Sequence, residues 1–386
     1  MGNSAASRLV LAKYSEQLVT DTAQSALREI GGRASCAFVF CSADYRPHLE
    51  EFIEILQVHG HIPLLAGCSG AGLVGTVAEA EQATGFSLLM LHLPETAIVP
   101  FSFTEATAPA WDDPEAWRRA AGGADVDAWV QLVSPESIPV EQWLATWNDA
   151  FPSTPCIGGI GSGGVTENDI FVFRDGELVD GGVAIGFRGG VKIRTLVSQG
   201  CRPIGEALPV TAVDENVIRA LGSRPACQVL DEAFQTLSAT EKARARGNLF
   251  AGLAITEYRD EFHRGDFLIR NIIGADQSSG AVAVAAMPRL GQTVQYQLRD
   301  AATADEDLRR LGTSLAAGGP RPFASLLFSC AGRGRGLFGT ASHDAGALAE
   351  IFAPHPCAGF FCNGEIGPVG GRNFVHGYTA SAALFV

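Results

Sequence analysis

Three times along the chain the same order returns: an apolar run of strand length, an amphipathic helix, and a second short apolar run that ends among glycines. In the first unit the run 36–41 is followed by a helix over 48–60, where Leu49, Phe52, Ile53 and Leu56 fall at i, i+3, i+4 and i+7. A strand over 62–66 then enters the segment 67–75, Gly-Cys-Ser-Gly-Ala-Gly-Leu-Val-Gly. The second unit has a strand at 128–133, a helix with Val140, Trp143, Leu144, Trp147 and Phe151 on one face, and Cys156-Ile157 leading into the glycines of 158–164. The third has a strand at 323–330, a short helix at 344–352, and a strand at 357–362 leading into Asn363-Gly364-Glu365-Ile366-Gly367-Pro368. The spacing from Val39 to Leu65 is 26 residues and from Leu132 to Ile157 is 25. From Leu327 to Phe360 it is 33, the extra length lying in 331–339.

A strand–helix–strand crossover makes its two strands parallel and right-handed in connection. Further strands are expected at 85–93, 97–103, 170–173, 182–187, 191–198 and 378–386. The pattern therefore predicts an α/β fold, with α+β as the alternative: repeated strand-helix-strand-strand units forming packed mixed sheets flanked by helices. A helix at 15–30 precedes the units, so residues 1–30 read as an N-terminal helix. Two amphipathic helices, 214–221 and 227–237, and a polar connection, 240–247, stand between the second and third units. Strands at 248–256, 266–273, 281–285 and 293–298 and a helix at 305–315 follow. A boundary near Gly222 divides the chain into domains 31–222 and 223–386.

Glycine is the residue in excess, and 18 of the 45 lie in four segments, 67–75, 158–164, 332–339 and 359–371. They sit at strand exits, where open α/β sheets place ligands. There the backbone must come close either to itself or to a ligand. The net charge of −14 and the lack of a basic stripe exclude nucleic acid and an anionic membrane surface as partners. No apolar run reaches the length of a membrane span. The run 8–13 is too short and charge-flanked for a signal peptide. Nine cysteines without a scaffold pattern fit reduced thiols, hence a cytoplasmic protein.

Gly70-x-Gly72-x-x-Gly75 has the spacing of a dinucleotide fingerprint but lacks the helix that must open after it. Gly334-x-Gly336-x-x-Gly339 lacks the acidic residue about 20 positions on. Cys68, Cys330 and Cys362 close strands beside glycines. A thiol there is a nucleophile if a base lowers its pKa, and otherwise a small apolar residue. Arg333 offers a bidentate clamp for a carboxylate or phosphate. Asn363 and Glu365 offer an amide and a carboxylate for the amino end of a zwitterion, or hold their own turn. With Ser69, Gly70, Gly159, Ser162 and His376, these residues make up the candidate ligand-binding set. No metal site is expected.

Phe360-Phe361-Cys362-Asn363-Gly364-Glu365-Ile366-Gly367-Pro368 closely resembles the closing motif of the FIST family, the "F-box and intracellular signal transduction" sensory domain. So does Phe328-Ser329-Cys330-Ala331-Gly332-Arg333-Gly334. The segments 67–72 and 181–186 are similar to that family's N-terminal half. The likeness covers about residues 30–386. It implies a FIST N-terminal domain over 31–222 and a FIST C-terminal domain over 223–386. It also implies a sensor of small ligands, amino acids or other small carboxylates among them. Family members often carry an output module, and no span remains for one, so signalling would act on a protein in trans. Some bacterial relatives bind haem and sense nitric oxide, which would make His376 or His343 the axial ligand. A cysteine-dependent enzyme, using Cys68, Cys330 or Cys362, is the remaining alternative, and a sensor without catalysis is the expected reading.

Overall fold

The run Cys36–Cys41 is a strand buried along its whole length. The helix Leu49–Gly60 returns the chain beside it as Leu65–Ser69, parallel, in register from Ala37 opposite Leu65 to Cys41 opposite Ser69. The same crossover recurs twice. Ala128–Val133 and Cys156–Ile160 are joined through Val140–Ala150. Ala324–Cys330 and Cys357–Cys362 are joined through His343–Phe352. This computed structural model describes residues 2–123, 125–164, 169–245 and 247–386.

Each parallel pair anchors a six-stranded mixed sheet with one common order. The first runs Ser4–Val10, Phe86–His92, Cys36–Cys41, Leu65–Ser69, then the hairpin Val172–Arg174 and Glu177–Leu178. The second runs Thr96–Thr104, Gly181–Gly189, Ala128–Val133, Cys156–Ile160, then Glu365–Val369 and Arg372–His376. The third runs Ile193–Gln199, Thr379–Phe385, Ala324–Cys330, Cys357–Cys362, then Gly72–Val74 and Glu79–Glu81. The hairpin after each glycine-rich exit thus joins a neighbouring unit's sheet. The first unit's hairpin pairs with Phe360 and Gly359, the second's with Cys68 and Gly67, and the third's with Gly159 and Gly158. The three units are interlocked in a cycle.

Alternation along the strands follows from this arrangement. Phe38, Phe40, Val130, Leu132, Leu326, Phe328 and Phe360 turn to one shared core. The opposite faces lie under helices. Glu16–Glu29 and Leu49–Gly60 cover the first sheet. Pro114–Ala120 and Val140–Ala150 cover the second, where Trp111, Trp117, Trp129, Trp143 and Trp147 gather. His343–Phe352 and the end of Ala301–Ala317 cover the third.

The glycines begin inside the second strands rather than beyond them. Gly67, Gly158 and Gly359 stand opposite Val39, Gln131 and Leu327. A Cβ at these glycines would lie 1.9, 1.7 and 1.8 Å from the partner's carbonyl oxygen. At these positions the backbone comes close to itself.

A second compact unit comprises Ser198–Asp307 and His376–Tyr378, the rest of the chain forming the first. Its strands Leu208–Asp214, Val217–Leu221, Ala281–Val284, Phe267–Asp276, Leu249–Ala254 and Thr293–Arg299 pair antiparallel in that order. The last pairs back to the first, closing a barrel. The helix Ala226–Gln235 contributes Val229, Leu230 and Ala233 to the barrel core.

Three sequence expectations need correction. The segment 214–221 is no helix: Ile218 and Leu221 have helical spacing, but the β-branched run turns at Glu215, φ 51°, into a hairpin. The connection 240–247 holds the helix Ala239–Ala245, with Arg246 outside the described residues. The helix expected at 15–30 is Glu16–Glu29, preceded by the strand Ser4–Val10. Among the described residues, no helix is long and apolar enough to cross a membrane.

Candidate functional site

The extra residues of the third crossover build a buried polar network. Arg333, 1 % exposed, donates from Nε to Asp344 Oδ2 at 2.7 Å and from Nη2 to Oδ1 at 2.8 Å. Ser329 Oγ donates to the same Oδ2 at 2.8 Å, and His343 Nδ1 lies 3.0 Å from Oδ1. The guanidinium carbon stands 5.2 Å from the centre of the Phe338 ring, which stacks on His343 at 3.4 Å. Burial alone would raise the Asp344 carboxyl, but Arg333 and His343 outweigh it and hold the group below the usual carboxylate range. Glu79 joins from the first unit's hairpin: its Oε1 accepts the Ala345 N–H at 2.9 Å, and its buried Oε2 has no hydrogen-bond partner among the described residues. Burial, with Asp344 nearby, pushes Glu79 up to about 7.

Next to this network, Cys330 and Cys362 end their strands directly opposite each other. The Cys362 thiol donates to Glu365 Oε1 at 3.3 Å, and the Thr379 N–H donates to Oε2 at 3.0 Å. Glu365 is fully buried, and its burial raises it to about 8. Burial also pushes the Cys362 thiol well above its ordinary value.

The first two glycine-rich exits meet elsewhere, at a cavity of about 1050 Å³. Gly70, Gly163 and Gly164 form part of its wall, and Asp44, Arg46, Gln82 and Asp169 bring polar groups to it. Ser162 and Ser69 knit the exits together: Ser162 Oγ accepts the Ala71 N–H at 2.9 Å and donates to the Phe361 carbonyl. Ser69 Oγ accepts the Phe171 N–H at 3.1 Å. Gly163 takes φ +93°, and a Cβ there would stand 2.5 Å from the Gly70 carbonyl oxygen. Arg46, in the 3-10 turn Ala43–His48, lies over the Phe171 ring at 5.4 Å. It also lines a second cavity, of about 460 Å³, with Glu105, Ser134 and Asp180.

The candidate residues thus fall into separate places. Gly70 borders the large cavity, with Ser69 and Ser162 supporting it. Cys330, Arg333, Cys362 and Glu365 belong to the third-unit cluster, and Gly159 packs against Cys362, where a Cβ would lie 3.1 Å from the Cys362 Cβ. Cys68 is fully buried in the shared core, and burial raises its thiol. Asn363 is exposed, its N–H donating to the Ile160 carbonyl at 3.1 Å. His376 is buried and belongs to the second compact unit. Neither His376 nor His343 lines either cavity. His343 has its Nδ1 on Asp344 and one ring face covered by Phe338. That setting does not fit a porphyrin, which needs an open space beside the imidazole.

Sequence reasoning missed Glu79, Asp344 and Arg46. Asp344 carried a usable signal: a carboxylate in the first turn of the helix that follows the arginine-bearing loop. Glu79 and Arg46 reach their sites through the hairpin swap and the 3-10 turn, which periodicity does not reveal.

Residues 35–224 match the family model of the FIST N domain, and residues 226–368 match that of the FIST C domain. An uncharacterized protein of Mycobacterium tuberculosis (strain H37Rv) is 36% identical over 358 residues, covering 92% of this chain and 92% of that protein. An uncharacterized protein of Mycobacterium bovis is 36% identical over 375 residues, covering 96% of this chain and 95% of its own length.

Proposed function

Because the chain belongs to the FIST family, whose domains are associated with sensing in signal transduction, we propose that it is a small-ligand sensor with the 1050 Å³ cavity as its binding site. One observation carries this reading: the cavity lies where two glycine-rich exits meet, and an arginine and two aspartates border it. Small-molecule sites are concave and hold a few placed polar groups. A zwitterion such as an amino acid suits this border. Arg46 pairs with its carboxylate, and Asp44 or Asp169 with its ammonium group. Gly70, Gly163 and Gly164 let the ligand approach backbone N–H groups. Both exits continue into hairpins held by neighbouring sheets, so a ligand bridging them ties units together. That coupling would present an altered surface to a signalling protein in trans.

A thermal-shift screen of the full chain against the common amino acids and small carboxylates tests the proposal. A concentration-dependent rise in Tm with one class supports it. No shift with any compound overturns the zwitterion reading.

A further inference from the structure

The three units can be superposed by register, because Gly67, Gly158 and Gly359 hold equivalent places. Three residues on from each glycine stand Gly70, Gly161 and Cys362. In the third unit Cys362 pairs with Cys330, whereas the first two registers close one pair earlier, at Cys41 and Val133, so the positions equivalent to Cys330 are Ser42 and Ser134. Opposite the residue that follows each glycine, the swapped hairpins place Leu73 on Phe360, Val172 on Cys68 and Glu365 on Gly159. Two units close this end of the shared core with serine, glycine and an aliphatic residue. The third places two thiols and a carboxyl there. The fold does not need that chemistry at this position, since two of its three copies are built without it.

We propose that Cys330 and Cys362 form a redox-active dithiol that reacts with a hydroperoxide and closes to a disulfide, with Glu365 as the proton acceptor. The geometry carries the assignment. Directly opposed residues on neighbouring strands are about 4.8 Å apart, inside the 4.4–6.8 Å range of disulfide Cα separations. Cys362 lies in the shared core with Phe328 and Phe360, and Cys330, two residues after Phe328 on its strand, falls on the same face. Neither cysteine is in a disulfide, and their exposure differs: Cys330 is partly exposed and Cys362 fully buried. Cys330 is therefore the residue that meets the oxidant, and Cys362 the one that resolves it. The Gly332 N–H points at Cys330 Sγ at 3.5 Å, and the Arg333 charge lies close by, both favouring a thiolate.

In the first step the Cys330 thiolate attacks the peroxide oxygen. The O–O bond breaks, the leaving oxygen takes a proton as an alcohol or water, and the sulfur, oxidised by two electrons, becomes a sulfenic acid. Cys362 then gives its proton to Glu365 in its carboxylate form, the form that gains population as pH rises toward and past about 8, and attacks the Cys330 sulfur. The S–S bond forms, and hydroxide leaves as water with that proton. Two thiols and one hydroperoxide thus yield one disulfide, one alcohol and one water. The dithiol does not rest on the ligand proposed for the cavity.

The test treats reduced full-length protein with one equivalent of hydrogen peroxide and maps thiols by peptide mass spectrometry. The expected product has lost two hydrogens and links the peptides of Cys330 and Cys362. C362S should trap Cys330 as a sulfenic acid that dimedone labels, and C330S should leave Cys362 unmodified. E365Q should slow closure on the order of tenfold or more. Oxidation of neither thiol, pairing among other cysteines, or closure in E365Q at the wild-type rate would each overturn the proposal. The wild-type mapping decides the matter alone if a variant fails to fold.

Discussion

Arg333 and Asp344 face each other through two parallel hydrogen bonds of 2.7 and 2.8 Å, with their side chains 0 % and 1 % exposed. The arginine that sequence reasoning reserved for a ligand spends this clamp on a carboxylate of its own chain. Removing one partner leaves the other charge buried and uncompensated, at a cost of about 3–5 kcal/mol. R333L and D344L should each lose that much stability in urea denaturation, whereas the two combined should lose clearly less than the sum. R333K should rescue poorly, since an ammonium group cannot make the planar pair of bonds. Additive losses in the double variant would show that the two residues do not act as a pair.

Stability should fall as pH rises across neutrality. Glu79 and Glu365 have folded values of about 7 and about 8, against an ordinary 4.5. The folded chain keeps protons there that the unfolded chain has released. Their contribution is full below the ordinary value and is lost as pH passes through the folded values. Asp344 works the other way: its contribution holds above its ordinary value and is lost in acid. Urea midpoints measured from about pH 5 to about pH 9 should decline, and E365Q should flatten the upper part of that decline. Wild-type and E365Q curves that run parallel would contradict the assignment.

The three register glycines should tolerate no side chain. G67A, G158A or G359A drives a Cβ into a carbonyl oxygen less than 2 Å away, so each should lose several kcal/mol, on the order of 3 or more, or fail to fold. Gly346 sits within the helix His343–Phe352 with nothing within 4 Å of its Cβ position. G346A should instead gain about 0.4–1 kcal/mol. Comparing denaturation midpoints of the four variants separates packing from helix propensity.

Where periodicity is strong and local, the chain reads directly. Phe38, Phe40 and the 49–56 stripe announce their strand and helix, and the three crossovers follow from repetition. The hairpin swap is not legible, because nothing local in Gly72–Val74 says that it will pair with Phe360 rather than its own unit. The misread segment 214–221 has apolar residues three apart, a spacing that a hairpin with its turn at Glu215 also produces. The candidate site divides in the same way. Cys330, Cys362 and Glu365 stand out because they interrupt glycine-rich or apolar surroundings. Glu79 and Arg46 do not, because their neighbours come from distant parts of the chain.

The central claim is that the cavity binds a small zwitterion through Arg46. Calorimetric titration of the wild type and of R46A with the amino acid that gives the largest thermal shift tests it most directly. A charge-assisted hydrogen bond is worth about 1.5–3 kcal/mol, so R46A should bind about 10- to 100-fold more weakly with its fold intact. Equal affinity in the two proteins would contradict the account.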